Sequence, residues 1–143
     1  MTELRSECGR CQRVCFERGG RVMIEGARDG YGGTLADEFI QELESSKSKK
    51  NLNRLADIAV RFEEYSLHGT LEVPRELNQL TPIISEIKAG DVRLPFYETN
   101  TCHSRVARLT HGFVKRQQRT PRKEIHKAEW VYREDSASDG RTV

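Results

Sequence analysis

The sequence of 143 residues is most informative in what it lacks. No uninterrupted apolar stretch approaches the roughly 18 residues that cross a bilayer, and no apolar segment follows the charged N-terminus as in a secretory leader. These absences predict a soluble, cytoplasmic protein. There are four cysteines, at Cys8, Cys11, Cys15 and Cys102. In a reducing compartment they form no disulfide framework. Cys8, Cys11 and Cys15 have ligand-like spacing, but a closed zinc site needs a fourth donor, and only Cys102 or His103 from far along the chain could supply it. Incidental reduced thiols are the plainer reading. No glycine-rich phosphate loop and no internal repeat is visible, so nothing predicts a bound nucleotide, cofactor or solenoid. Aromatic residues make up 7% of the chain, apolar ones 36% and charged ones 32%, which predicts one compact domain under a heavily charged surface.

The charge is unevenly spread. The formal net charge is +2, yet from Arg105 to Arg133 nine Lys and Arg stand against Glu124 and Glu129, a local net of +7 that leaves the remainder at −5. Such asymmetry predicts an anionic partner for the C-terminal third, with nucleic acid first among the candidates. A solvated helix face is the competing explanation.

Periodicity supplies the elements. Residues 1–20 are polar, rich in Arg and Glu and closed by Gly19-Gly20, which predicts a flexible, cysteine-bearing extension. Arg21 to Glu25 reads as a short strand. Thr34 is placed to cap a helix carrying Leu35, Phe39, Ile40 and Leu43 on one face. After polar Ser45 to Lys50, a second helix carries Leu52, Leu55, Ala59 and Phe62, and Gly69 is positioned to end it. From Ile83 the period becomes two. Ile83, Ser85 and Ile87 alternate with Ile84, Glu86 and Lys88; Gly90-Asp91 makes a turn; Val92, Leu94 and Phe96 then oppose Arg93, Pro95 and Tyr97. Pro95 lacks an N–H, which predicts an edge or a bulge there. A last strand runs from about Arg105 to Val114 with His111 on its apolar face. Thr120-Pro121 opens a C-terminal helix with Ile125, Ala128 and Tyr132 inward, and residues 135–143 read as a disordered tail. The sum is an α+β fold in the order β-α-α-β-β-β-α: a small antiparallel sheet, a helical hairpin and a C-terminal helix, in a domain spanning 21–134.

Three pieces of this order resemble one family. They are Ile84-Ser85-Glu86-Ile87-Lys88, Arg93-Leu94-Pro95-Phe96-Tyr97, and Leu109-Thr110-His111-Gly112-Phe113-Val114-Lys115 leading into Gln118-Arg119-Thr120-Pro121-Arg122-Lys123-Glu124-Ile125, completed by Ala128. The chain resembles HigB-like, phage-type toxins of the RelE/ParE toxin–antitoxin superfamily over about residues 21–134. The resemblance implies a RelE-like fold and a toxin that enters the ribosomal A site and cuts mRNA without metal or other cofactor. It also implies a cognate antitoxin, expected to be a helix-turn-helix DNA-binding protein. Relatives in the superfamily that poison gyrase leave a non-catalytic growth inhibitor or host-takeover factor as the alternative.

The resemblance, together with the chemistry of the residues themselves, assigns candidate roles. Arg93 matches an arginine that holds the scissile phosphate, for which a bidentate fork is suited; a surface ion pair is the other reading. Lys115 and Arg116 match a basic pair that stabilises the transition state, although strand ends often carry solvated cations. Lys88 matches a lysine that serves as base or charge stabiliser. Arg108, Arg119, Arg122, Lys123 and Lys127 are candidates for gripping the RNA backbone. His111 and Tyr97 are possible general bases, with a packed histidine the competing reading for His111. The general base is unassigned at this point.

Overall fold

The computed structural model describes residues 6–7, 13–101 and 105–141. The elements are β1 (Ser6–Glu7), β2 (Val14–Glu17), β3 (Val22–Gly26), α1 (Leu35–Ser46), α2 (Lys49–His68), β4 (Leu77–Gln79), β5 (Ser85–Ala89), β6 (Val92–Asn100), β7 (Arg105–Leu109), β8 (Phe113–Val114) and α3 (Arg122–Arg141). The architecture is mixed, with helices on a single sheet ordered β1-β2-β3-β7-β6-β5-β4, while β8 also pairs with β6. All neighbours are antiparallel except β3 and β7, which run parallel from Val22↔Arg105 to Gly26↔Leu109. The observed order therefore departs from the expected one by four short strands, β1, β2, β4 and β8. Strands of two to four residues contain too few positions for an alternating pattern to register.

The helical hairpin follows its local chemistry. Ser48 caps α2 by accepting the N–H of Asn51 at 3.1 Å. Gly69, at φ 72°, ends it in the left-handed region and donates its N–H to the carbonyl of Tyr65. Thr34 begins α1 without a side-chain cap, contrary to expectation. The inward stripe of α2 is Leu55, Ile58, Phe62 and Tyr65, whereas Leu52 is exposed. That stripe and Ala36, Ile40 and Leu43 of α1 cover one sheet face, against Ile24, Ile87, Leu94, Phe96 and Leu109. Helix α3 lies on the opposite face, where Ala128 and Val131 pack with Ala27, Ile84 and Tyr97.

Both expected boundaries move outward. Cys15 and Phe16 are buried in the core, with the Phe16 ring 5.7 Å from Phe62, so the chain from Arg13 belongs to the domain rather than to an extension. Gly19-Gly20 is the turn between β2 and β3. Gly19 has φ +96°, and a Cβ on Gly20 would fall 2.2 Å from the Ser66 carbonyl oxygen. At the other end, α3 continues through the expected tail, and Asp135 is fully buried.

Pro95 lies inside β6, opposite Glu86 of β5. Its carbonyl accepts the N–H of Thr110 at 2.8 Å, so its nitrogen faces the same side, where β7 has ended and β8 has not begun. The strand expected over 105–114 is split at this gap, which accommodates the missing donor.

Candidate nucleic-acid interface

The β5–β6 turn and the chain leaving β8 meet at one corner of the sheet. Register sets Lys88 directly opposite Arg93, and Arg93 opposite Phe113 of β8. The backbone N–H of Lys115 donates to the Asp91 carbonyl at 2.7 Å, holding the basic segment against the turn. Arg54 anchors the same turn to α2, with Nε and Nη2 reaching Asp91 carboxylate oxygens at 2.9 and 2.7 Å. This bidentate bond holds the Asp91 carboxyl below the usual carboxylate range. Lys88, Arg93, Lys115 and Arg116 are thus brought to one place.

Arg93 is only 8% exposed, and its Nη1 donates to the carbonyls of Gly90 at 2.7 Å and Val92 at 2.9 Å. Burial lowers its pKa, while the charges of Glu86 and Asp91 act in the opposite sense. Glu86, buried on the same face, has both carboxyl oxygens within 2.8–3.0 Å of the Thr120 hydroxyl, which donates to them. Thr120-Pro121 was expected to open α3, but the Thr120 hydroxyl is not turned to the helix N–H groups. Instead it ties the helix start to β5, and α3 opens at Arg122 with the carbonyl of Pro121 accepting the first helical N–H groups.

Around Thr120-Pro121 the cations are on the surface. Arg116, Arg119, Arg122, Lys123 and Lys127 are exposed, and Lys115 and Lys88 are half-buried. Two shallow grooves flank the corner. One of about 550 Å³ is bordered by Gln117, Arg119 and Arg122, and one of about 290 Å³ by Phe113, Arg116 and Lys123. Groups with both charge and access to solvent favour a polyanion here.

Three candidates lie elsewhere. Arg108, expected to grip RNA, is 7% exposed and bonds Glu25 Oε1 at 2.8 Å and Asp135 Oδ2 at 3.2 Å. It is a buried counter-ion, because its register position opposite Tyr97 faces α3 instead of solvent. The Tyr97 hydroxyl donates to Asp135, and burial raises its pKa, so it does not yield a base. His111 is 1% exposed and stacks on Phe113; its Nδ1 is 3.0 Å from Thr110 Oγ1 and its Nε2 3.1 Å from Glu124 Oε1. Burial, with a smaller contribution from Lys127, pushes it down to about 3. The Glu124 acceptor selects the neutral Nε2–H tautomer. Both nitrogens are engaged, and neither faces the grooves.

Sequence reasoning missed the other members of the buried charge cluster. Arg13 Nη1 meets Asp135 Oδ1 at 2.6 Å, and Arg28 N–H donates to the same oxygen at 3.0 Å. The usable signal was Glu25, an acid inside an apolar strand, which demands a buried cation. Of the cysteines, Cys8, Cys11 and Cys102 lie outside the described residues. Cys15 is buried, and no cluster of metal-ligating side chains occurs among the described residues. Likewise, no helix among them is long and apolar enough to cross a membrane. No protein-family model matches the chain, and no curated protein matches it.

Proposed function

We propose that this protein is a toxin of the toxin–antitoxin type that acts on mRNA in the ribosomal A site as a metal-independent endoribonuclease. The observation that carries the proposal is the meeting of Lys88, Arg93, Lys115 and Arg116 at the β5–β6 corner, from segments far apart in sequence. In the proposed reaction the RNA's own 2′-hydroxyl attacks the adjacent phosphorus. The 2′-oxygen–phosphorus bond forms, the 5′-oxygen–phosphorus bond breaks, and the 2′ proton is lost as the leaving oxygen gains one. Arg116 and Lys115 neutralise the charge growing on the phosphoryl oxygens. Arg93, buried and bonded to the Gly90 and Val92 carbonyls, acts from behind them by holding the turn on which the phosphate rests. Lys88, directly across the ladder from Arg93, is the remaining candidate for proton removal. The proposed partners are the ribosome with its mRNA and a helix-turn-helix antitoxin that covers the corner.

A second reading is favoured by a specific observation. Two of the three candidate bases, Tyr97 and His111, are buried and hydrogen-bonded, which leaves Lys88 alone. A protein that grips its target through the corner without cutting it would need neither. This reading keeps the cationic surface and assigns growth inhibition to binding alone, with a gyrase-type or other host target.

Induced expression followed by mapping of mRNA 5′ ends separates the two. The nuclease reading expects growth arrest with cleavage inside translated codons, both abolished by Arg116→Ala combined with Lys115→Ala. Arrest with intact mRNA would overturn it in favour of binding alone. Arg93→Ala is a useful third variant once circular dichroism shows that it is folded.

A further inference from the structure

The basic corner continues along one flank of α3 toward a feature that the proposed chemistry does not use. Lys123, Lys127 and Trp130 follow at i, i+4 and i+7, so they share one flank of the helix, adjacent to the face that buries Ala128 and Val131. The two lysines are exposed and Trp130 is half-buried. Across from Trp130 stands Tyr31, which is 91% exposed, with ring centroids 6.3 Å apart and planes inclined by 52°.

Tyr31 is held out by a braced loop. The Asp29 carboxylate accepts the N–H groups of Tyr31 at 2.8 Å and Gly33 at 2.9 Å, and the Asp29 N–H donates to the Gly33 carbonyl at 2.9 Å. A rigid loop that keeps a large aromatic ring in water gains almost no burial energy from that ring. It does preorganise a flat surface beside a second aromatic at the end of a line of cations.

We infer that Tyr31 and Trp130 form a stacking platform for an unpaired base of single-stranded RNA whose phosphates run along Lys127, Lys123 and Arg116. The inference rests on the RNA-backbone reading of the corner and extends it from phosphate to base. Stacking requires an unpaired base, because duplex bases already stack on one another, and it is tolerant of base identity. Glu134, whose carboxylate lies beside Gly30, borders the platform on the side away from Lys127. It sets polarity: phosphates pass on the lysine side, and the base alone reaches the rings.

Trp130 is the only tryptophan in the chain, so its fluorescence reports on this site directly. Purified protein is titrated with a short oligouridylate, the same strand carrying abasic sites, and an RNA duplex. Emission and the anisotropy of a 5′-labelled strand are followed together. The expected result is quenching by the oligouridylate alone, and affinity reduced roughly 5- to 150-fold in Tyr31→Ala. Tyr31→Phe stays near wild type and Glu134→Gln binds more tightly. Because Tyr31 is solvent-exposed, its loss leaves the fold intact.

Equal quenching by the abasic strand, or unchanged affinity in Tyr31→Ala, would overturn the platform. Binding seen by anisotropy without quenching would also overturn it, while leaving the backbone reading standing and assigning the aromatic pair to a protein contact. Quenching without mRNA cleavage in cells would uphold the platform and overturn only the nuclease reading.

Discussion

Arg108 and Arg116 stand eight positions apart in the same basic third of the chain, and they do opposite things. Arg108 is buried between Glu25 and Asp135, in a cluster with Arg13 and the Tyr97 hydroxyl. Arg116 is exposed beside a shallow groove. In the buried cluster two arginines meet two carboxylates, so the charges compensate and contribute no field outside. At the corner, Arg116, Arg119, Arg122 and Lys123 are exposed and project theirs. A charge count along the chain therefore overstates the interface. Arg105 also spends its charge locally, on Glu98 at 2.6 Å. Burial converts a cation from a binding group into a structural one, because a desolvated charge must be paired.

The comparison is tested most severely by Asp135→Ala. Removing this acceptor takes from Arg13 its 2.6 Å carboxylate and from Arg108 one of its two carboxylates. Unfolding in urea should show a loss of about 3–5 kcal/mol, typical of breaking a buried ion pair from one side; a loss below about 1 kcal/mol would dissolve the distinction drawn here. Glu86→Ala comes next. It strands the Thr120 hydroxyl and removes one of the two charges opposing the desolvation of Arg93, with an expected cost of about 2 kcal/mol in the same assay.

His111 gives a smaller, pH-dependent effect. Unfolded, the imidazole takes a proton near its ordinary value of 6.5, and folded it resists protonation down to about 3. The unfolded state binds more protons inside that window, so stability is complete above it and falls as pH is lowered through it. The slope is at most about 1.4 kcal/mol per pH unit. Comparing wild type with His111→Gln between pH 6.5 and 5, above most carboxylate titration, isolates it. Parallel pH profiles for the two proteins would refute the assignment.

The smallest stability effect belongs to the corner. Arg116→Ala and Lys123→Ala should each change unfolding by no more than about 0.5 kcal/mol. Each should also weaken single-stranded RNA binding and reduce the salt slope by about one ion. A loss of stability larger than that of the Glu86 variant would place these cations with the buried set.

Much of this arrangement was legible along the chain. Repeats of three to four residues delimit the helical hairpin, and period-two alternation groups Glu86 with Lys88 and Arg93 with Tyr97 on either side of a turn at Gly90-Asp91, while the observed register is what joins the two sets on one face. The position of β2 was not legible, since Val14-Cys15-Phe16 is too short to show a period and polar residues surround it. The role of Asp135 was hidden for a different reason. In a Ser-rich, acidic segment nothing local distinguishes a buried carboxylate from a solvated one.

Local chemistry, then, decided the things that neighbours in sequence can decide. Ser48 and Gly69 bound a helix through their own backbone and side-chain preferences, and alternation assigns each strand residue to one of two faces. Which of those faces would be wet was settled only when α3 covered half of one. That helix covers Tyr97 and Arg108 and leaves Arg116 and Arg119, ahead of its start, exposed. Solvation is a property of what packs above a residue, contributed here from far along the chain, and it decides whether a cation holds the fold together or stands in water where an anionic partner could meet it.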